Sequence, residues 1–186
     1  MDMIERKLII GLGNPEEERK ETRHNIGWMC IDKLVGDGQY VEKEYGLVFE
    51  TPEAIYLKPT VGMNSSGEAV KAAMTEYEVE AKDILVIVDD LDLDFGRLRL
   101  KGKGSTRHNG LKSIEECIGT QKYDRLKFGI SHDFQEGGQF DYVLSPFTEN
   151  EVAQLPYLIE RVSNGIKNYY LVEPNKDKVM NMINNG

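Results

Sequence analysis

The sequence predicts an α/β fold: a central sheet with helices on both faces. Three observations carry this. Short apolar runs end in Gly, Asn, Pro or Asp. Stretches with helical periodicity separate them. One run, Ile84–Val88, is apolar without a break, the mark of a strand buried on both faces. With 186 residues, one compact domain is the expectation, and the chain is long enough to bury a sizeable core.

Lys7–Leu12 reads as a buried first strand that stops at Gly13-Asn14-Pro15. Thr22 is placed to cap a helix running to about Val35. On that helix Ile26, Met29, Cys30 and Leu34 make one apolar stripe. Gly46–Thr51 and Ala54–Lys58 read as paired strands around Pro52. Ser65-Ser66-Gly67-Glu68 has the form of a capping box, opening a helix with Val70, Ala73, Met74 and Tyr77 inward. After the Ile84–Val88 strand the chain is expected to turn at Asp89-Asp90-Leu91-Asp92. Arg97, Arg99, Lys101 and Lys103 then alternate, so in one strand all four share a face. Asn109 begins a helix with Leu111, Ile114 and Ile118, and Arg125–Ile130 makes a further strand. Thr148-Glu149-Asn150-Glu151 is a second capping-box pattern. It opens a helix with Val152, Leu155, Ile159, Val162, Ile166 and Tyr169, which Pro156 either distorts or begins. The segment from Glu173 onward reads equally as a helix over a cleft or as a tail.

Composition narrows the function. Hydrophobic residues are 40% and charged residues 30%, as in globular proteins. No run reaches the roughly 20 apolar residues of a membrane span, and the N-terminus lacks the apolar block of a signal peptide. Cys30 and Cys117 are far apart and read as reduced core residues, so the expectation is cytoplasmic. The net charge of −9 disfavours general nucleic-acid binding, but its distribution matters more. Residues 95–114 contain no acid and six cations, which leaves −15 for the remainder. One face would attract a polyanion while the rest repels it. Lys and Arg protecting an edge strand from aggregation account for the window equally well.

Ligands of open α/β sheets bind beyond the carboxyl ends of the strands. Asn14, Asn64 and Asp89 all fall at such ends, where turn and cap roles are also common. The chain has three histidines, and two occupy repeats of one tripeptide, Arg23-His24-Asn25 and Arg107-His108-Asn109. Imidazole titrates near neutral pH, and the neighbouring amide offers uncharged hydrogen bonds. Several chemistries are absent. Glu16 stands where a dinucleotide fingerprint needs its third glycine, and there is no Walker loop, His-Glu-x-x-His or Gly-x-Ser-x-Gly. What remains is attack by water, with a histidine as base, a carboxylate to orient it and amides to steady an oxyanion.

Thr22-Arg23-His24-Asn25-Ile26-Gly27 and the segment from Gly104 to Ile114 resemble the two signatures of the bacterial-type peptidyl-tRNA hydrolase family. Gly11-Leu12-Gly13-Asn14-Pro15 resembles that family's opening loop. Lys58-Pro59-Thr60 with Met63-Asn64 and Ser66-Gly67 resembles its third segment, Asp89–Leu93 its acidic turn, and Tyr142-Val143-Leu144 its late strand. The resemblance implies one domain over residues 1–186, with a mixed, mostly parallel twisted sheet flanked by helices. It implies a monomer that uses no metal or other cofactor and acts on peptidyl-tRNA, cleaving the ester between a peptide and the tRNA 3′ end. By position, His24 would be the base and Asp89 its orienting acid. Asn14, Met63, Asn64, His108 and Asn109 would bind substrate, and Arg99, Lys101 and Lys127 the tRNA phosphate. The chain departs from the family pattern at Glu16, Arg19, Gly62, Thr106 and Arg107. The changes at 19 and 62 are expected to remove apolar walls of the cleft. A non-catalytic RNA-binding relative of the same fold is the alternative. A peptidase of related architecture would need metal-ligand clusters that the sequence does not display.

Overall fold

The computed structural model describes residues 5–185. Its elements in chain order are β1 (Lys7–Gly11), α1 (Ile26–Val35), β2 (Val41–Lys43), β3 (Gly46–Glu50), β4 (Ala54–Pro59), α2 (Ser66–Tyr77), β5 (Ile84–Asp90), β6 (Leu98–Lys101), α3 (Asn109–Ile118), β7 (Asp124–Gly129), α4 (Gln139–Val143), α5 (Glu149–Gly165) and α6 (Lys176–Asn184). The strands form one seven-stranded sheet in the order β2-β3-β4-β1-β5-β7-β6. The four central strands, β4, β1, β5 and β7, run parallel, whereas β2, β3 and β6 are antiparallel to their neighbours.

Alternation along each strand divides the core in two. Ile9, Leu85, Ile87, Leu126 and Phe128 face α1 and α5. Leu8, Ile10, Val86 and Val88 face α2 and α3. Helices therefore cover both faces, and the uninterrupted apolar run of β5 is explained by its place in the middle. The α5 capping box forms as its sequence requires. The Thr148 hydroxyl accepts from the Glu151 amide, and the Glu151 carboxylate accepts from the Thr148 amide. Pro156 lies inside α5 without ending it, and a π-helical turn, Ile166–Tyr170, comes next. Leu155, Val162 and Ile166 of the stripe are buried, whereas Val152 and Tyr169 are exposed.

Five local expectations are corrected. Thr22 does not cap α1; a 3₁₀ turn at Arg23–Asn25 comes first, and the Thr22 hydroxyl donates back to the Arg19 carbonyl. Ser65 caps nothing either, because a 3₁₀ turn at Met63–Ser65 precedes α2 and the Ser66 hydroxyl donates to the Met63 carbonyl. Asp89 and Asp90 belong to β5, not to a turn. β6 covers only Leu98–Lys101, so just Arg99 and Lys101 of the four alternating cations share a strand face. Tyr142 and Val143 lie in the short helix α4 and not in a strand. There the Tyr142 hydroxyl donates to the Ile130 carbonyl, a tertiary contact that overrides the β propensity of the segment. The segment after Glu173 is ordered as α6. It does not cover the carboxyl end of the sheet but seats on edge strand β6, where the Asn184 side chain accepts from the Leu100 amide at 2.7 Å. That bond occupies an edge group otherwise open to strand addition.

Candidate active site

Two glycines bring the site together. A Cβ on Gly11 would lie 2.1 Å from the Gly27 carbonyl oxygen, and one on Gly27 would lie 2.5 Å from the Leu12 nitrogen. Only this close approach lets α1 rest directly on the end of β1. The Leu12 amide then donates to the Ile87 carbonyl, which ties that end to β5. The turn before α1 is thereby laid over the carboxyl end of β5.

Each residue of the first Arg-His-Asn has a separate role there. Arg23 is buried and donates to the Ser145 hydroxyl, the Pro146 carbonyl and the Glu151 carboxylate; its guanidinium also lies 4.2 Å from the Tyr142 ring centroid. It pins the turn to α4 and α5. Asn25, fully buried, clasps the backbone of Asn14: its Oδ1 accepts from the Asn14 amide at 2.8 Å and its Nδ2 donates to the Asn14 carbonyl at 2.9 Å. The Asn14 Oδ1 accepts from the Met63 amide at 3.1 Å, so the Asn14 Nδ2 is the donor left for the cleft.

His24 Nδ1 lies 3.0 and 2.9 Å from the two carboxylate oxygens of Asp89. A carboxylate only accepts, so Nδ1 carries the proton and Nε2 keeps its lone pair. His108 approaches the same carboxylate with Nε2, 3.0 Å from Oδ1. Its tautomer is set by α3. The His108 Nδ1 accepts from the amides of Gly110 and Leu111, an N-cap made by an imidazole, so its proton must sit on Nε2. Asp89 therefore receives one N–H from each ring, and the ring centroids lie 4.9 Å apart.

The charges are set by this geometry. Burial works to raise the Asp89 pKa, yet His24 and His108, by charge and hydrogen bond, hold its carboxyl far below the ordinary range. Burial works to lower the pKa of His24, but the Asp89 charge and hydrogen bond outweigh it and raise the imidazole above 6.5. The ligand-type atoms of His24, Asp89 and His108 all lie within 4.8 Å of one another, close enough to hold a metal. A metal would have to displace the protons that both rings donate to Asp89, and the α3 cap opposes this at His108. The trio fits a proton-handling site better than a metal site.

These residues stand in a cleft of about 1280 Å³ at the carboxyl end of the sheet. The chain matches the peptidyl-tRNA hydrolase family model over residues 8–186. The chain belongs to that family. A peptidyl-tRNA hydrolase of Parabacteroides distasonis is 43% identical over 171 residues, covering 88% of this chain and 91% of that protein. One from Porphyromonas gingivalis is 44% identical, covering 88% and 92%. A crystal structure of peptidyl-tRNA hydrolase from Acinetobacter baumannii superposes with a TM-score of 0.86 at 30% identity, covering 99% of this chain and 97% of that one.

Asn14, His24, Met63, Asn64, Asp89, His108, Asn109 and Lys127 all line this cleft. Met63 is buried and acts through its amide on Asn14, whereas Asn64 and Asn109 are exposed. Arg99 and Lys101 are not in the cleft wall. Lys101 is exposed on β6, and Arg99 is the register partner of Lys127 on β7. The three cations share the face of the sheet that holds α3. Lys127 is paired with Asp90 at 3.4 Å.

Several contributions were not assigned from the sequence. Asn25 and Arg23 orient the site without lining the cleft. His132 lines it and donates from Nδ1 to the Leu91 carbonyl. Phe134 and Phe140 supply an apolar wall, with Phe140 72% exposed. Gly62 lines the cleft with φ +88°, and a Cβ there would meet open space. Cys117 is only half-buried, in contrast to Cys30.

Proposed function

We propose that this protein hydrolyses the ester between a peptide, or an N-blocked amino acid, and the 3′ end of tRNA. The single observation that carries the mechanism is His24: Nδ1 is committed to Asp89 at 2.9 Å, and Nε2 is left for the cleft. Nε2 takes a proton from water as the oxygen attacks the ester carbonyl carbon. Asp89 stabilises the imidazolium that forms. The side-chain amide nitrogen of Asn14 donates to the developing oxyanion. When the tetrahedral intermediate collapses, the C–O bond to ribose breaks and His24 returns its proton to the leaving 3′ oxygen. The products are a peptide carboxylic acid and tRNA with a free hydroxyl. One oriented base, worth roughly 10²–10⁴ in rate, with positioning, suffices for an ester.

The phosphate site in this reading is Lys127 with Arg99 and Lys101. Support comes from the register: Arg99 is directly opposite Lys127, and Lys101 comes next on the same face. Such a clamp reads no sequence, which suits a substrate with many tRNAs. Asn64, Met63, His108 and Asn109 form the substrate wall. The protein works here as one domain over residues 1–186, as a monomer with its whole cleft in one chain, without a metal, in the cytoplasm. Among the described residues no helix is long and apolar enough to cross a membrane.

The test is release of N-acetylated amino acid from N-acetyl-aminoacyl-tRNA, in buffer with and without chelator. Hydrolysis that chelator leaves unchanged, and that His24→Ala abolishes with the fold intact, supports the proposal. Tight tRNA binding without release would favour a non-catalytic RNA-binding role.

A further inference from the structure

We propose that Arg107 is an additional contact to the RNA backbone, parked on Asp92 in the free protein and passed to a phosphate near the tRNA 3′ end when substrate binds. This rests on the hydrolase reading above. Arg107 Nη2 lies 2.8 and 3.0 Å from the two Asp92 oxygens. Among the described residues, Nη1 and Nε of Arg107 have no hydrogen-bond partner, so most of the guanidinium fork is unspent.

Its place in the chain points to the path of the substrate. β6 carries Arg99 and Lys101; the loop from Gly102 to Arg107 comes after it; the next residue, His108, touches Asp89. Arg107, Lys127 and His24 line one cleft. An RNA held by phosphate at Lys127 and Lys101, with its ester at His24, must lay its last phosphates between them. Arg107 lines the cleft that such an RNA would cross.

The ion pair is too weak to have a structural purpose. Its side chains are 83% and 69% exposed, and exposed pairs contribute about 0–1 kcal/mol. The loop is anchored by other bonds. Buried Arg125 donates to the Gly104 carbonyl at 3.0 Å, and the Thr106 hydroxyl accepts from the His108 amide at 3.0 Å. A carboxylate this loosely held exchanges readily for phosphate, which a guanidinium binds through two parallel N–H groups. Lys127 pairs with the neighbouring Asp90 in a more buried setting, and the Asp90 carboxylate accepts from the Asp92 amide at 2.7 Å. One acidic corner therefore holds Arg107 and Lys127 in place before RNA arrives.

The experiment is the dissociation constant for uncharged tRNA, across a salt series, for wild type, Arg107→Ala, Asp92→Asn and the double variant. Arg107→Ala should weaken binding several-fold at low salt and lower the salt slope by about 0.7–0.9. Asp92→Asn should tighten binding, with most of that gain lost in the Arg107→Ala background. Arg107→Ala with the wild-type constant and slope would overturn the contact. Equal gains from Asp92→Asn in both backgrounds would overturn the parking role. Because binding is read without turnover, a wild type that binds tRNA but releases no blocked amino acid would sink the hydrolase reading while the constants still decide Arg107.

Discussion

The two Arg-His-Asn tripeptides are identical in sequence and opposite in use. In the first, arginine is buried, its side chain 6% exposed, and locked to Glu151; asparagine is inside, clasping Asn14; histidine presents a free nitrogen. In the second, arginine is 83% exposed, asparagine faces solvent, and both ring nitrogens of histidine are committed, one to Asp89 and one to the α3 amides. The difference arises from the surroundings of each copy. The first is pressed against the sheet by the Gly11–Gly27 contact and has protein above it. The second opens α3 at the cleft rim, so its histidine caps and its arginine is free. A motif states which groups are present; burial decides what they do.

His24→Ala should cost about 10²–10⁴ in kcat, since it removes the proposed base. His108→Asn should cost much less, because asparagine keeps the α3 cap while removing one N–H from Asp89. Equal losses in single-turnover kinetics would break the assigned asymmetry. Arg23→Ala should destabilise the fold by about 3–5 kcal/mol, because it removes the buried cation partner of Glu151 and the donor to the Pro146 carbonyl. Arg107→Ala should stay within about 0.5 kcal/mol. Denaturant unfolding of the two variants sharpens the contrast, and similar midpoints would refute it. Lys101→Ala and Lys127→Ala should raise KM for full-length tRNA and flatten its salt dependence. A KM unchanged in both would remove the clamp.

The sheet was legible where one residue type dominated an element. Ile84–Val88 could only be a central strand, and Thr148 with Glu151 formed the cap that their spacing required. Asn14, Asn64 and Asp89 were legible as polar groups at strand ends, whereas His24 and His108 lie in the turns that open α1 and α3 and were marked by the repeated tripeptide. Four features were not legible. β2 is three residues, Val41-Glu42-Lys43, too short and charged to show a pattern. The Ser65 cap was lost to a 3₁₀ turn that depends on the Met63 amide reaching Asn14, 49 residues away. α4 reads as a strand, but Tyr142 is held by Arg23 and the Ile130 carbonyl, partners that no local window contains. The tautomer of His108 was equally hidden, since the α3 amides set it.

In the proposed mechanism Asp89 orients and tunes His24 as the base. The most direct test is the pH dependence of kcat/KM for wild type and Asp89→Asn. Neutral imidazole is the active form, so activity should rise with pH along an acid limb whose midpoint lies above 6.5 in wild type. In Asp89→Asn the carboxylate charge is gone and burial acts alone, so the midpoint should fall and the plateau should drop with it. A profile that is flat between about pH 5 and 8, or a limb that does not move when Asp89 is replaced, would contradict that mechanism.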